Sequence, residues 1–472
     1  MLLRLFKSIL LIFLSAIVSQ VIANMDSVKI SGSYYIIHNI NLSGNKITKP
    51  RIIFRELTFS KSDSILKEDI QKILKRSKEN LLNTSLFNFV TITYSSTDST
   101  AIDINIDVKE RWYTFPIPIF DIVERNFNTW WETKNLARAV YGFYLIRENF
   151  RGRKELLTIK AQFGYTEQYG FSYQIPYIDK KQKSGLGFSS YYYRNHEIAF
   201  NTNNNNVVYY KDPDNYIRKE MVSRVSYTNR RGLYNTHILN VMYNMADIAD
   251  TVKSINADYF VNQQTHINYT SLSYFFKHDL RDSKVYPLHG YYFDFEAAKL
   301  GLGFIKGESI DITNLYTSFK KYWQISNRIY LASGVKGKYS FNPIQPYYIQ
   351  RALGYSNYVR GYEYYVVDGS SYALAKLGLK YELVKPHVKK IPYLNAEKFD
   401  TFHYAFYLEL FSDMAYVNNK TNYKTNSFTN SYIYGTGIGL DFVTYYDNVF
   451  RLEYSFNKRG EYGIFLHLYA PI

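Results

Sequence analysis

From Trp112 onward, apolar and polar residues exchange places at every second position. Ala373, Ala375, Leu377, Leu379, Tyr381 and Leu383 share one face of an extended segment, and Lys376, Lys380 and Glu382 share the other. Phe402, Tyr404, Phe406, Leu408 and Leu410 oppose His403, Glu409 and Asp413, and Phe450, Leu452, Tyr454 and Phe456 oppose Arg451, Glu453, Ser455 and Asn457. A period of two predicts strands with unlike faces. In a soluble sandwich the charged face would be buried unpaired, whereas in the lumen of a membrane barrel those charges meet water or one another. The alternation predicts strands over 113–123, 136–147, 154–165, 168–178, 184–196, 216–229, 234–246, 264–278, 290–300, 308–323, 328–340, 371–383, 402–413, 431–445, 447–457 and 462–471. Sixteen is an even count, as a bacterial barrel requires. With the N-terminus on the inner side, the long connections 197–215, 341–370 and 414–430 are outer loops, and short ones such as Lys180 to Ser184 are inner turns.

Residues 28–110 have a different rhythm. Ile36, His38, Ile40 and Leu42 alternate with Ile37, Asn39 and Asn41 before the turn Ser43-Gly44-Asn45. Thr48 with Pro50 predicts a capped helix start, followed by Ile52, Ile53, Phe54 and Leu57. Leu66, Ile70, Ile73, Leu74 and Leu81 fall near helical spacing, with lysines and Glu68 between them. Val90, Ile92 and Tyr94, then Ile102, Ile104, Ile106 and Val108, alternate as two closing strands. The predicted order is strand, helix, helix, strand, strand. The fold class is therefore mainly β: one small α/β unit over 28–110 and a sixteen-stranded antiparallel barrel over 112–472.

Residues 1–23 have the pattern of a secretory signal: Arg4 and Lys7, an apolar run from Ser8, and Val21-Ile22-Ala23 at its end. The mean hydropathy of −0.30 hides the membrane because each strand shows lipid only half its side chains, while 50 Tyr and 32 Phe supply interfacial aromatics. There is no Cys, which excludes disulfides and thiolate sites. The formal charge of +16 is dispersed rather than gathered in a tract, which fits a basic lumen and not nucleic-acid binding. The asparagine run Asn203 to Asn206 reads as biased composition in a tolerant loop. No His-Glu-x-x-His, Gly-Lys phosphate loop or nucleophile elbow occurs, and the nine His have no ligand spacing. No enzyme activity, cofactor or metal is expected.

Ile40, Ser43-Gly44-Asn45, Thr48, Arg55-Glu56-Leu57, Leu81, Thr84, Leu86-Phe87, Val90 and Val108-Lys109-Glu110 follow one another as in a polypeptide-transport-associated (POTRA) domain. In the barrel, Asn149-Phe150-Arg151-Gly152 with Pro176, then Asp279, Arg281, Asp282, Pro287 and Gly290, then Val359-Arg360-Gly361-Tyr362, appear in the order seen in the BamA/TamA family of outer-membrane assembly factors. The chain resembles that family over nearly its whole mature length. It departs at Ala415, where the family has Gly, and at the end Ala470-Pro471-Ile472, where the family has an aromatic.

The resemblance implies that the loop carrying Arg360 folds back into the lumen and that the guanidinium pairs with wall acids. By alternation the acids available are Glu409, Asp413, Asp441 and Glu453, with Asp413 the first choice. Gly435, Gly437 and Gly439 leave a bare strip on the same face, for loop packing or equally for a bend in the wall. Pro116 and Pro118, at i and i+2 of the first strand, remove two donors from one edge. That marks either a strand start not yet paired or a weak seam against the last strand, the lateral gate that the resemblance implies. The expected role is assembly and insertion of outer-membrane barrels, or protein translocation. Its partners would be unfolded outer-membrane or secreted proteins, outer-membrane lipids and accessory lipoproteins. A dedicated exporter of one partner protein and a transport pore are the alternatives.

Overall fold

The computed structural model describes residues 33–96, 98–122, 136, 139–391, 400–421, 426–444 and 448–468. The expected signal segment and the final Ala470-Pro471-Ile472 lie outside these. The N-terminal unit runs β1 (Tyr34–Ser43), α1 (Pro50–Phe54), β2 (Ser64–Leu66), α2 (Ile70–Leu82), β3 (Phe87–Ser96) and β4 (Ala101–Glu110). Its sheet order is β2-β1-β4-β3, with β1 and β4 parallel. The alternating Ile102, Ile104, Ile106 and Val108 of β4 face Ile52, Ile53, Leu74 and Leu81 of the helices in one core.

Three local expectations change here. The short β2 was not anticipated, and it takes Leu66 out of the second helix. In β1 a register shift between Ile37 and Asn39 turns Ile37 into the core and leaves Ile36 exposed, so the simple alternation breaks. Thr48 is not a helix cap. Lys49 holds that position without a side-chain bond, and the Thr48 hydroxyl instead donates to Glu110 Oε1 at 2.6 Å.

The remaining residues form one sixteen-stranded antiparallel sheet in consecutive order, from barrel strand 1 (Thr114–Ile122) to strand 16 (Tyr462–His467). The sixteen expected strands are all present. Strand 12 (Ser371–Lys390) runs past its predicted end on the side of the α/β unit, where Lys390 pairs with Thr401, and strand 13 (Thr401–Asn418) runs past its predicted end on the outer side, where Asn418 pairs with Ser371. Outward positions alternate with buried ones: in strand 15 (Val449–Asn457), Phe450, Leu452, Tyr454 and Phe456 point out, and Arg451, Glu453 and Ser455 are fully buried.

The α/β unit sits on the even-to-odd turns, which fixes that end of the barrel. Lys49 N–H donates to Gly152 O at 2.9 Å, and Asn149 Nδ2 to the Thr48 hydroxyl at 2.9 Å. Arg55 reaches Gln182 O and Gly232 O, Arg76 reaches Arg281 O, and Asn83 reaches Asp282 O. Arg230, at the end of strand 6 (Arg218–Arg231), grips buried Glu56 through two bonds of 2.6 and 2.7 Å.

At the opposite end several outer loops pack together into a dome. A hairpin (Glu197–Asn203 with Asn206–Lys211), a short helix (Asp250–Ile255) and the segment around Tyr347 share a core of Ile198, Ile217, Val252, Tyr259 and Phe260. This corrects the reading of the asparagine run. Asn204 and Asn205 both take positive φ, 49° and 60°, as a two-residue hairpin turn requires. Asn205 is fully buried: its N–H donates to Asn426 Oδ1, and its side-chain oxygen accepts from Phe428 N–H. The tyrosines also divide. Some face outward, but Tyr286, Tyr330, Tyr347, Tyr362 and Tyr407 are buried inside, where a hydroxyl on an aromatic ring can fill space and still bond an acid.

Candidate functional site

The 30-residue segment between strand 11 (Ile329–Ser340) and strand 12 enters the barrel and returns. Its tip is Val359-Arg360-Gly361-Tyr362, and Val359, Arg360 and Tyr362 are all buried. Gly361 takes φ +90°, open to glycine at low cost, and a Cβ there would lie 3.1 Å from Phe456 O. Tyr362 donates its hydroxyl hydrogen to Tyr434 O at 3.2 Å and accepts from Lys458 N–H, which pins the loop to strand 14 (Tyr432–Thr444) and the turn beyond strand 15.

Arg360 is fully buried, and each nitrogen of its guanidinium donates at least one hydrogen bond. Nε and one terminal nitrogen donate to the two oxygens of Asp413, at 2.9 and 2.6 Å, and its backbone N–H adds a third bond to that carboxylate at 3.1 Å. The other terminal nitrogen meets Glu409 Oε1 at 2.9 Å and lies 4.0 Å from Glu453 Oε1. The Phe411 ring lies 4.0 Å beneath the guanidinium. A planar two-pronged cation on a planar carboxylate is a geometry that lysine cannot reproduce.

Asp413 is shared with Lys376 at 3.2 Å. Glu409 is shared with Arg451, which also binds Asp441 through two bonds of 2.5 and 2.7 Å. Lys380 is fully buried and lies 4.2 Å over the Tyr286 ring, while the Tyr286 hydroxyl donates to Asp441 at 2.6 Å. Glu409, Asp413, Asp441 and Glu453 therefore balance Arg360, Arg451, Lys376 and Lys380. Burial of charge is expensive unless each group is paired, and removing one member leaves the others uncompensated. Arg451 was not nominated from sequence, although it stood on lumen-facing parity directly opposite Asp441. Tyr286 had no such signal, because it arrives from a turn rather than from the wall.

The glycine strip separates into three cases. A Cβ on Gly435 would sit 1.9 Å from Arg360 O, so the loop backbone rests directly on it. At Gly437 the obstruction comes from the wall itself, Tyr454 O at 2.2 Å, and at Gly439 the nearest atom is 3.4 Å away. One glycine of the three meets the loop.

The turn Asp279 to Gly290 is tied by Arg281 to Asp279, at 2.8 Å to each oxygen, and by Asp282 Oδ1 accepting three backbone N–H groups. It touches α2 on one side and carries Tyr286 into the ion cluster on the other. Beside it the lumen holds two cavities of about 740 and 450 Å³, both lined by Lys277, Asp279, Arg281 and Lys284.

Strands 1 and 16 are the two ends of the sheet, and among the described residues neither pairs with the other. Tyr462, Ile464 and Leu466 of strand 16 are 67–71% exposed, against 39–50% for Leu440 and Leu452 in the continuous wall, as the loss of one neighbour requires. Strand 1 pairs with strand 2 (Ala139–Phe150) in a register that sets Thr114 opposite Arg147, and Glu148 N–H donates to Tyr113 O. Antiparallel bonding alternates, so odd residues bond strand 2 and even ones face the free edge. Pro116 and Pro118 are even, and their missing donors belong to the free edge.

A sixteen-stranded barrel, an α/β unit seated on its turns and a loop anchored inside define a transporter or insertase type of membrane barrel. The Omp85 superfamily domain matches residues 149–459, and the POTRA model (surface antigen variable number repeat) matches residues 35–111. The chain belongs to the Omp85 superfamily. Members of this family are transporters or insertion factors that act on unfolded outer-membrane or secreted proteins, with their POTRA units in the periplasm. Among solved structures, CdiB from Escherichia coli matches with a TM-score of 0.53 at 11% identity, covering 92% of this chain and 75% of that one. BamA from Haemophilus ducreyi lacking POTRA domains 1–3 gives 0.48 at 16% identity, covering 92% and 83%. These likenesses concern the fold. Comparison with curated proteins finds no match.

Proposed function

We propose that this protein is an outer-membrane factor, with its POTRA unit in the periplasm, that inserts or translocates unfolded clients through the seam between strands 1 and 16. The observation that carries this reading is that, among the described residues, the two sheet ends do not pair with each other and one of them lacks two ladder donors. A strand edge without its partner is a template for another chain, and a client strand can add there by backbone bonding. Among the described residues β3 of the POTRA unit pairs only with β4, so its outer edge offers the same kind of docking before delivery. Arg360 and its acids hold the loop against strands 12 to 15, so that opening at the seam leaves the rest of the wall in place. No reactive constellation is needed for such work; binding energy and a locally incomplete wall suffice.

The natural absence of Cys makes the test direct. Cysteine pairs placed across strands 1 and 16 should cross-link on oxidation, abolish client insertion, and restore it on reduction. Full activity in the cross-linked protein would refute the seam mechanism. Depletion followed by an outer-membrane proteome then separates the two roles: broad loss of barrels supports assembly, and loss of one secreted protein supports dedicated export.

A further inference from the structure

We propose that Glu363, Glu453 and His467 form a site for a divalent metal ion of the zinc type, joining the inserted loop to the last strand. The three residues come from three elements: Glu363 from the loop just past Arg360, Glu453 from strand 15, and His467 from the end of strand 16. Their ligand atoms all lie within 4.8 Å of one another.

His467 Nδ1 lies 3.0 Å from the Tyr358 hydroxyl, with the two rings stacked at 5.3 Å. With Nδ1–H donating to that oxygen, Nε2 presents its lone pair inward, as a metal-binding imidazole does. Nε2 stands 3.2 Å from Glu453 Oε2 and 3.6 Å from Glu363 Oε1. Yet neither Nε2 nor Glu453 Oε2 has a hydrogen-bond partner, and the Glu453 side chain is fully buried. A lone pair facing two carboxylates is repulsive unless a cation lies between them.

Two cations could serve, a proton on Nε2 or a metal ion between the ligands. A protonated imidazole would draw a carboxylate to about 2.7–2.9 Å. Ligands on a tetrahedral ion with bonds of about 2.1 Å stand about 3.4 Å apart, and the two distances from Nε2 to the carboxylates, 3.2 and 3.6 Å, bracket that spacing. Glu363 is held for the purpose by Gly361 N–H, at 2.9 Å to Oε2. One imidazole nitrogen and two carboxylate oxygens, with water in the fourth position, suit zinc and fall far short of the six to eight oxygens of calcium. The metal would tether strand 16 to the anchored loop. Only that consequence, a seam stiffened by metal, rests on the function proposed above.

Metal-stripped full-length protein in lipid nanodiscs, titrated with zinc by calorimetry, tests the site itself. The expected result is saturable uptake of one ion per chain, lost in His467→Ala and Glu453→Gln. Tyr358→Phe, which keeps every ligand, should weaken binding about 10- to 100-fold. His266→Ala, at an exposed His paired with Asp247, should leave it unchanged. Absence of saturable uptake by the wild type, or equal uptake in His467→Ala, overturns the site and assigns His467 to a protonated bridge. Zinc uptake without any change in strand 1–16 cross-linking would leave the site standing and count against the seam consequence alone.

Discussion

The two halves of the barrel interior solve the same problem in opposite ways. On strands 12 to 15 charged groups are packed dry and balanced, and the loop tip is bonded into them. On strands 8 (His266–Asp279) to 11 Lys277, Lys320 and Lys336 line the smaller cavity with Asp294, cations in excess of acids, and Lys336 Nζ donates to Asn357 Oδ1 at 2.8 Å. A dry wall of interlocked charges has few arrangements and resists displacement; a wall that borders open cavity has more and costs less to rearrange. The comparison assigns anchoring to the first wall and accommodation to the second.

The largest effect should come from breaking the dry side. Arg360→Ala leaves Asp413 and Glu409 short of a partner and should cost about 3–5 kcal/mol, read as a lowered unfolding midpoint of the purified barrel. Arg360→Lys keeps the charge without the fork and should lose less, and Asp413→Ala should resemble Arg360→Ala. Lys336→Gln on the cavity wall puts at risk only the bond to Asn357 Oδ1 and should change stability by about 1 kcal/mol. Equal losses on both walls would dissolve the distinction.

Gly435→Ala should cost about 1–3 kcal/mol and displace the loop, because its new methyl meets backbone, while Gly439→Ala stays near neutral. Protease accessibility of residues 354–366 would register the difference.

The POTRA seat should respond to acid. Burial alone would raise the Glu56 carboxyl, but Lys154 and Arg230 outweigh it and hold the group at about 2, below its ordinary 4.5. A depressed carboxyl contributes docking energy that is complete above pH 4.5 and is lost as pH falls toward 2. Spin-label distances between unit and barrel should lengthen through that window in the wild type, and Glu56→Gln should abolish the dependence. The smallest effect is expected at the seam: Pro116→Val with Pro118→Val should barely move the unfolding midpoint, yet raise the yield of strand 1–16 cross-links.

Period two carried the strand count and the lumen-facing acids because alternation is a local property, and the order of motifs carried the family. Features made by contact between distant segments stayed hidden. Thr48 had the residue type of a cap, but Glu110 and Asn149, remote in sequence, claim its hydroxyl. The bulge after Ile37 reverses a face that simple alternation assigns the other way. Arg451 was visible by parity, but nothing local distinguished an ion-cluster arginine from a wetted one. The nine histidines showed no ligand spacing because spacing along the chain is blind to three elements meeting, as Glu363, Glu453 and His467 do.

Asn205 gives the dome a mechanical meaning. Its carbonyl accepts from Val366 N–H at 2.9 Å, on the same loop that carries Arg360, while its amide groups hold the 426–428 segment. The hairpin tip is therefore a handle on the outer surface whose inner end is bolted to the lumenal anchor. A pull on the hairpin is transmitted inward along covalent chain and one backbone hydrogen bond rather than absorbed by slack. Ile198 and Thr202 on the flank of the hairpin are buried as well, so a segment that reads as tolerant filler is held beside its tip as well as at it.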